Sequence, residues 1–279
     1  MLSSLAAACL LTQSGGLMTS EEYSKIKHSR PYVLRIRTEK ATIVYFGIGH
    51  TRDPDDPQLK TAAKLWQELK PQAVFNEDEP PRPQSTLEES VRTHGEPAWL
   101  AFKAKQDGIP IESLDLGKAQ QAETLTKQFD PKVVKSLYVL RNIYEYFKRP
   151  PEAQKTPLPS FVTLNLLRLG TIPTLGAKPS NSTELQEIVE KVAGPGAKWD
   201  APPAAWFDPG LTEKRTVFND ICKASSYLRD LHMVDRIVEL ASKDQRAFIA
   251  MGASHVVMQE PAIRKRLPNA KIELLMGRE

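Results

Sequence analysis

Cysteine is scarce in this sequence of 279 residues, which contains only Cys9 and Cys222. The two lie far apart and form no Cys-x-x-Cys motif, so the sequence excludes a zinc ribbon, a redox pair and a disulfide framework. We do not expect a bridge between Cys9 and Cys222 either, because Cys9 lies in a stretch with the features of a flexible tail.

Blocks of like charge and long apolar runs are also missing. The chain has 38 Lys and Arg residues against 34 Asp and Glu residues, and its net charge of +4 is spread along the sequence. Without a basic cluster there is no sign of a nucleic-acid surface, and we expect no nucleic-acid partner. Because no apolar run is long enough for a bilayer, we expect no transmembrane span.

Familiar catalytic and binding motifs are absent as well. The sequence has no Gly-x-Ser-x-Gly elbow, and Gly194-Pro-Gly-Ala-Lys198 lacks the Ser or Thr that ends a phosphate-binding loop. The pair Gly47 and Gly49 lacks the third glycine of a dinucleotide-binding turn, since Arg52 stands there. The aspartates within residues 53–56 are interrupted by proline and lack the glycine and final glutamate of a calcium loop.

Residues 1–30 are predicted to be a flexible tail or the remnant of a leader. Their short apolar run precedes Ser14-Gly15-Gly16, and Ala-Ala-Ala-Cys9 resembles a lipoprotein cleavage site. However, no Lys or Arg precedes the apolar run, as a signal peptide would require. The location is therefore left open between an exported or periplasmic compartment and the cytoplasm.

Two strand-like segments end in the same motif, Gly-x-x-His. Residues 41–46 are β-branched and aromatic and precede Gly47-Ile-Gly-His50, while residues 246–251 precede Gly252-Ala-Ser-His255. Glycine lets the backbone turn sharply and approach a ligand closely, and the histidine can then face a cleft. We therefore expect His50 and His255 to lie in one site although they are near opposite ends of the chain.

The first part of the chain predicts a β-hairpin followed by a βαβ unit. Residues 32–37 and 41–46 form the hairpin, and a helix over residues 58–69 is capped by Asp56. The next predicted strand, residues 71–76, is followed directly by Glu77. Right-handed crossover of such a unit places the strand ends on one edge of the sheet, so His50 and Glu77 should face the same crevice.

The whole pattern predicts an α/β fold with a central mixed β-sheet, strands from both chain ends, flanking helices and a helical insertion. We expect a single domain over residues 31–279, with the insertion at about 119–210. The remaining predicted elements are a strand at 109–115, a helical stretch at 119–147, a long helix at 212–240, a strand at 246–251, a short helix at 260–267 and a strand at 270–276.

Four segments together resemble the TraB/GumN family, which belongs with the TIKI proteases and the erythromycin esterase and ChaN-like proteins in a broader superfamily. The resemblance covers the N-terminal third and the C-terminal quarter of the chain. It implies that His50 and His255 are the motif histidines, Glu77 their acidic partner and Arg229 the helix arginine of one site. The segments are Gly47-Ile-Gly-His50, Phe75-Asn-Glu77, Arg229-Asp-x-x-Met233 and Phe248 to His255.

The sequence departs from the TraB/GumN pattern in two places. Asp230 follows the arginine where asparagine is common, and Val256-Val-Met-Gln259 stands where the pattern reads Leu-x-Gly. The Arg-Asp pair and the element Gly95-Glu96 are similar to the esterase side of the superfamily. Glu96 and Asp230 are therefore additional site candidates, and the substrate class stays open.

These residues predict hydrolysis of an ester or an amide bond in a small-molecule or peptide substrate. His50, Glu77 and His255 can hold a divalent metal such as Mn, Co or Zn, which lowers the pKa of bound water. Without a metal, one histidine oriented by Glu77 acts as general base, and Arg229 stabilises the oxyanion.

Two other interpretations stay open at this stage. The same histidines could hold a metal or a haem group in a non-catalytic protein of the same fold, because fold does not determine function. Alternatively, the chain could be a structural or interaction protein in which the Gly-x-x-His segments are only turns.

Overall fold

The computed structural model describes residues 15–149 and 154–278. Among these residues, contacts divide the chain into two compact units: a sheet unit of residues 15–115 and 230–278, and a helical unit of residues 116–229. The predicted α/β fold class is confirmed, with one mixed six-stranded sheet and flanking helices. Of the predicted tail, residues 1–14 lie outside the described residues, and so does Cys9.

The sheet takes its strands from both parts of the chain, in the spatial order β4-β3-β5-β2-β1-β6. β1 and β2 form the predicted antiparallel hairpin, and β6 pairs antiparallel with β1. β5 is inserted between β2 and β3 and runs parallel to both. The strands are β1 His28–Arg37, β2 Ala41–Ile48, β3 Ala73–Asn76, β4 Ile111–Ser113, β5 Gln245–Gly252 and β6 Lys271–Arg278.

The helices follow from amphipathic segments with recognisable caps. The side chain of Asp56 accepts a hydrogen bond of 2.8 Å from the backbone N–H of Gln58, which confirms the predicted cap. In chain order the described helices are α1 Ser20–Ser24, α2 Pro57–Leu69, α3 Leu87–His94, α4 Glu96–Gln106, α5 Lys118–Leu125, α6 Pro131–Phe147, α7 Leu158–Gly170, α8 Ser182–Ala193, α9 Val217–Ala241 and α10 Ala253–Arg266. None of these helices combines the length and the apolar character needed to cross a membrane.

The core of the sheet unit lies between the sheet and α2 to α4. β2 is almost entirely buried, as expected for a central strand covered on both faces. Phe46 stacks on Phe248 with ring centroids 6.0 Å apart, and Trp66 lies 5.4 Å from Phe248. These aromatic contacts fix β2 and β5 side by side beneath α2.

The helical unit has a separate core, built by α5 to α8 and the first half of α9. It covers more of the chain than the predicted insertion, because residues 211–229 belong to it. Its fully or nearly buried residues include Leu125, Val134, Leu137, Leu140, Ile143, Val162, Leu166, Leu185, Val189, Phe218 and Ile221.

Several predicted boundaries differ from the structure. α9 begins at Val217 instead of residue 212, and the strand predicted at 109–115 shortens to Ile111–Ser113. α10 begins at Ala253, directly after Gly252, instead of at residue 260. Pro261, which predicts a helix start, lies inside α10, where it removes a single backbone hydrogen bond. His255 therefore lies in the first turn of a helix.

Gly47 allows α10 to pack directly on β2. A Cβ atom at this position would lie 2.8 Å from the carbonyl oxygen of Tyr32 and 2.9 Å from Cα of Ala253. Both are backbone atoms and cannot move aside alone. At Gly49, in contrast, a Cβ atom would meet the flexible side chain of Arg30 at 3.0 Å.

We expect Gly47→Ala to lower the free energy of unfolding by about 2 kcal/mol or more, because the added methyl group overpacks the β2–α10 contact. Gly49→Ala is the matched control and should cost clearly less, since an arginine side chain can rotate away. Urea unfolding of both variants measures the difference. Equal losses would show that α10 does not need a glycine at position 47.

Candidate functional site

The ends of the parallel strands β2, β3 and β5 bring three predicted site residues to one point. A methyl group placed on Gly252 would lie 3.5 Å from Oε2 of Glu77, 3.7 Å from Cδ2 of His255 and 3.9 Å from Nε2 of His50. The two imidazoles can therefore be no further apart at these atoms than the sum of the last two distances. The residues converge because β2 and β5 are neighbouring parallel strands that end at the same edge of the sheet, with Ile48 of β2 opposite Gly252 of β5.

His255 is held between two carboxylates. Its Nδ1 lies 2.6 Å from Oδ1 of Asp230 in α9, and its Nε2 lies 3.2 Å from Oε1 of Glu77. Burial alone would lower the pKa of His255, but the hydrogen bonds to Asp230 and Glu77 outweigh it and raise the pKa to about 10. With both nitrogens protonated, the imidazolium donates to both carboxylates.

Glu77 is fixed by the strand ends around it. The backbone N–H of Gly252 donates to its Oε2 at 3.0 Å, and its Oε1 faces His255. The hydroxyl of Ser113 donates to its backbone carbonyl at 3.1 Å, which ties it to the end of β4. The carboxylate thus has a defined position directly beside the point where the histidines meet.

His50 has a carboxylate partner of its own, Glu96. Nδ1 of His50 lies 2.6 Å from Oε1 of Glu96, and the backbone N–H of Thr51 donates to the other oxygen at 3.1 Å. This bond and the negative charges of Glu96 and Glu77 raise the pKa of His50, against burial and the charge of Arg30. The imidazole is 80% exposed, so Nε2 can be reached from solvent.

The two histidines therefore share one arrangement in which Nδ1 is bound by a carboxylate and Nε2 is directed elsewhere. Glu96 binds Nδ1 of His50 in the same way as Asp230 binds Nδ1 of His255. A partner on one nitrogen selects the tautomer and orients the ring, as in catalytic triads and around bound metals. The additional site candidates Glu96 and Asp230 are the residues that do this.

Arg229 immediately precedes Asp230 in α9 and is the last residue of the helical unit. It is half-buried, whereas Asp230 is only 3% exposed. The role of Arg229 as an oxyanion-stabilising cation stays a prediction.

Sequence reasoning missed three neighbours of the site: Arg30, Tyr45 and Gln259. Arg30 lies against Gly49, and its charge lowers the pKa of His50, but an arginine at the start of a strand gave no signal. Gln259 donates to Oδ1 of Asp230 at 2.7 Å and accepts from Tyr45 at 2.6 Å. Its spacing of four residues from His255 was a usable signal once α10 was known to include both.

Comparison with protein-family models found no match for the sequence. Comparisons with curated proteins and with solved structures also found none. The resemblance to the TraB/GumN family therefore stays a prediction, which rests on the quoted motif residues alone.

The raised pKa of His255 predicts a loss of stability at alkaline pH. The unfolded imidazole releases its proton near its ordinary pKa of 6.5, whereas the folded one keeps it up to about 10. The stabilising contribution is fully present below pH 6.5 and is lost as the pH rises through 10. The free energy of unfolding, measured in urea between pH 6 and pH 10, should fall more steeply for the native protein than for His255→Gln. Parallel curves would contradict the charged state of His255.

Proposed function

We propose that this protein is a hydrolase that cleaves ester or amide bonds of a small-molecule or peptide substrate. One observation supports this most directly: Nε2 of His50 faces the same point as Glu77 and His255, while Glu96 holds its Nδ1. Around that point are an accessible base, a fixed carboxylate and a buried cation, which are the groups that activation of a water molecule requires.

His50 is the proposed general base. Glu96 accepts the Nδ1 proton, so the neutral ring carries its lone pair on Nε2. A water molecule between Nε2 and Glu77 could donate one hydrogen to each, which directs its oxygen lone pair outward. As the water oxygen attacks the carbonyl carbon, Nε2 takes its proton. His50 then returns the proton to the leaving alcohol or amine when the carbonyl carbon releases it.

His255 contributes through its charge. Both of its nitrogens face carboxylates, so it keeps Glu77 in place and adds positive potential to a site that holds three carboxylates. Positive charge near the reacting carbonyl stabilises the oxyanion that forms during attack. Arg229 is the second cation that we propose for this purpose, on the strength of the sequence resemblance.

A divalent metal, Mn, Co or Zn, is also part of the proposal. Nε2 of His255 and Oε1 of Glu77 are 3.2 Å apart, which suits two ligands of one ion with bonds of about 2 Å, provided that the metal displaces the proton from Nε2. Glu96 and Asp230 occupy the opposite nitrogens, as outer carboxylates of metal-bound histidines do. A bound metal would lower the pKa of a water ligand.

The position of His50, the third proposed ligand, is less favourable than that of Glu77 and His255. Within residues 15–149 and 154–278, no three His, Cys, Asp or Glu side chains are grouped closely enough to hold a metal ion as they stand. His50 would have to approach the other two, and Glu96 holds its Nδ1 at 2.6 Å.

We expect His50→Ala and His255→Ala each to reduce hydrolysis by at least about 100-fold, because the first removes the general base and the second removes the cation that holds Glu77 and stabilises the oxyanion. The assay uses a panel of nitrophenyl esters and fluorogenic peptides, with chelator-treated protein and with added Mn, Co or Zn. His94→Ala is the matched control, since His94 is exposed on α3 and belongs to no part of the site. Its activity should equal that of the native protein.

The outcomes separate the alternatives. Binding of metal or porphyrin without turnover would favour the non-catalytic protein. His50→Ala and His255→Ala variants that hydrolyse substrate like the native chain would refute the hydrolase site. If their binding of metal and porphyrin were unchanged as well, the Gly-x-x-His segments would be turns only.

Gly252→Ala tests the common site without removing a functional group. The added methyl group would meet its neighbours at ordinary contact distances, and φ −53° and ψ 135° suit alanine, so we expect a change in unfolding free energy below about 1 kcal/mol. The methyl group would nevertheless occupy the space between His50, Glu77 and His255. Hydrolysis should fall about 100-fold, as misplacement of reactants by about 1 Å does. Native activity in a stable Gly252→Ala protein would show that the reaction does not use this space.

A further inference from the structure

We propose that Gln259 and Tyr45 are positioning residues that hold Asp230 and thereby fix the orientation and the Nδ1 proton of His255. Their effect on turnover rests on the proposed function, but their effect on the imidazole does not. All four residues belong to the sheet unit.

The four side chains form one continuous hydrogen-bonded chain in the protein interior. The hydroxyl of Tyr45 donates to Oε1 of Gln259 at 2.6 Å, and Nε2 of Gln259 donates to Oδ1 of Asp230 at 2.7 Å. The same Oδ1 lies 2.6 Å from Nδ1 of His255. Tyr45 and Gln259 are fully buried, so water does not compete for these bonds.

The chemistry of the partners allows only one direction for this chain. An ionised Asp230 can only accept, so the amide nitrogen of Gln259 must face it and the amide oxygen must face Tyr45. A flipped amide would place two acceptors against each other. The hydroxyl of Tyr45 has one hydrogen, and although the sulfur of Met251 lies beside it, sulfur is the weaker acceptor.

The direction of these hydrogen bonds also determines the orientation of His255. Because Oδ1 of Asp230 receives Gln259 on one side, its position is fixed, and it accepts Nδ1–H of His255 on the other. The ring is then oriented with Nε2 toward Glu77. Without Gln259, a buried carboxylate oxygen would lose one of its two donors and Asp230 would be free to rotate about its side-chain bonds.

The position of Tyr45 links the two halves of the site. Tyr45 lies on β2, the strand that ends in the loop of His50, and it faces α10, which carries His255 and Gln259. β2 therefore positions His50, and through Tyr45 it also anchors the hydrogen bonds that orient His255. A change in the packing of β2 would affect both histidines.

NMR spectroscopy of the full chain labelled with ¹⁵N-histidine tests this inference. The ¹⁵N shifts of the two ring nitrogens report which of them carries a proton, and His255→Gln assigns the signals. We expect Gln259→Leu and Tyr45→Phe to change the Nδ1 shift of His255 and to speed the exchange of its proton with water. Gln259→Leu should have the larger effect, because it removes the donor to Asp230 itself.

Tyr32→Phe is the matched control. Tyr32 is also a buried strand tyrosine, and its hydroxyl donates to the carboxylate of Glu260 at 2.5 Å, so the variant removes the same kind of bond elsewhere. It should leave the signals of His255 unchanged. Signals of His255 that stay native in folded Gln259→Leu and Tyr45→Phe, or that change as much in Tyr32→Phe, would overturn the inference.

Kinetics separate this inference from the proposed function. If the protein hydrolyses substrate, kcat of Gln259→Leu should fall about tenfold with a smaller change in KM, because the variant loses the hydrogen bond that holds Asp230 against His255. If it does not hydrolyse any substrate of the panel, the proposed function fails while the NMR result still decides the role of Gln259.

Discussion

The parallel pairing of β2 with β5 is the interaction on which the site depends. It joins strands from opposite ends of the chain and sets Ile48 opposite Gly252, so that the two Gly-x-x-His segments begin side by side. The register is specified by side chains that are buried on both faces of the two strands, among them Phe46, Phe248 and Tyr45. A slip of one residue would turn each of these side chains to the other face of the sheet and separate the histidines.

The sequence could predict which residues lie at the strand ends, but it could not predict the hydrogen bonds that these residues make. The placement of His50, Glu77 and His255 followed from buried strands that stop at glycine or at an acidic residue, because parallel strands expose their ends at one edge. Glu96 begins α4, where an acidic residue favours the helix dipole, but its carboxylate also binds His50. A pattern reports neighbours along the chain, and it cannot show that residues 50 and 96 meet in space.

Asp230 shows why burial matters for such assignments. An Arg-Asp pair on a helix is usually a solvated surface pair, yet the structure buries Asp230 against His255 and Gln259. The error over the start of α10 had the same effect, because a helix beginning at residue 260 would have left His255 and Gln259 on different elements. Once both lie on α10, their spacing of four residues places them on one face, toward Asp230.

The repeated motif does not imply a repeated role. Both histidines bind a carboxylate through Nδ1, but His50 is 80% exposed and His255 only 16%. An exposed imidazole with one free nitrogen can exchange protons with substrate and solvent, whereas a buried one between Asp230 and Glu77 keeps its proton. The motif glycines differ in the same way, since Gly47 is required by the backbone of α10 and Gly252 leaves space at the centre of the site. The environment of each copy, and not the motif, is therefore the reason why we propose proton transfer for His50 and a fixed positive charge for His255.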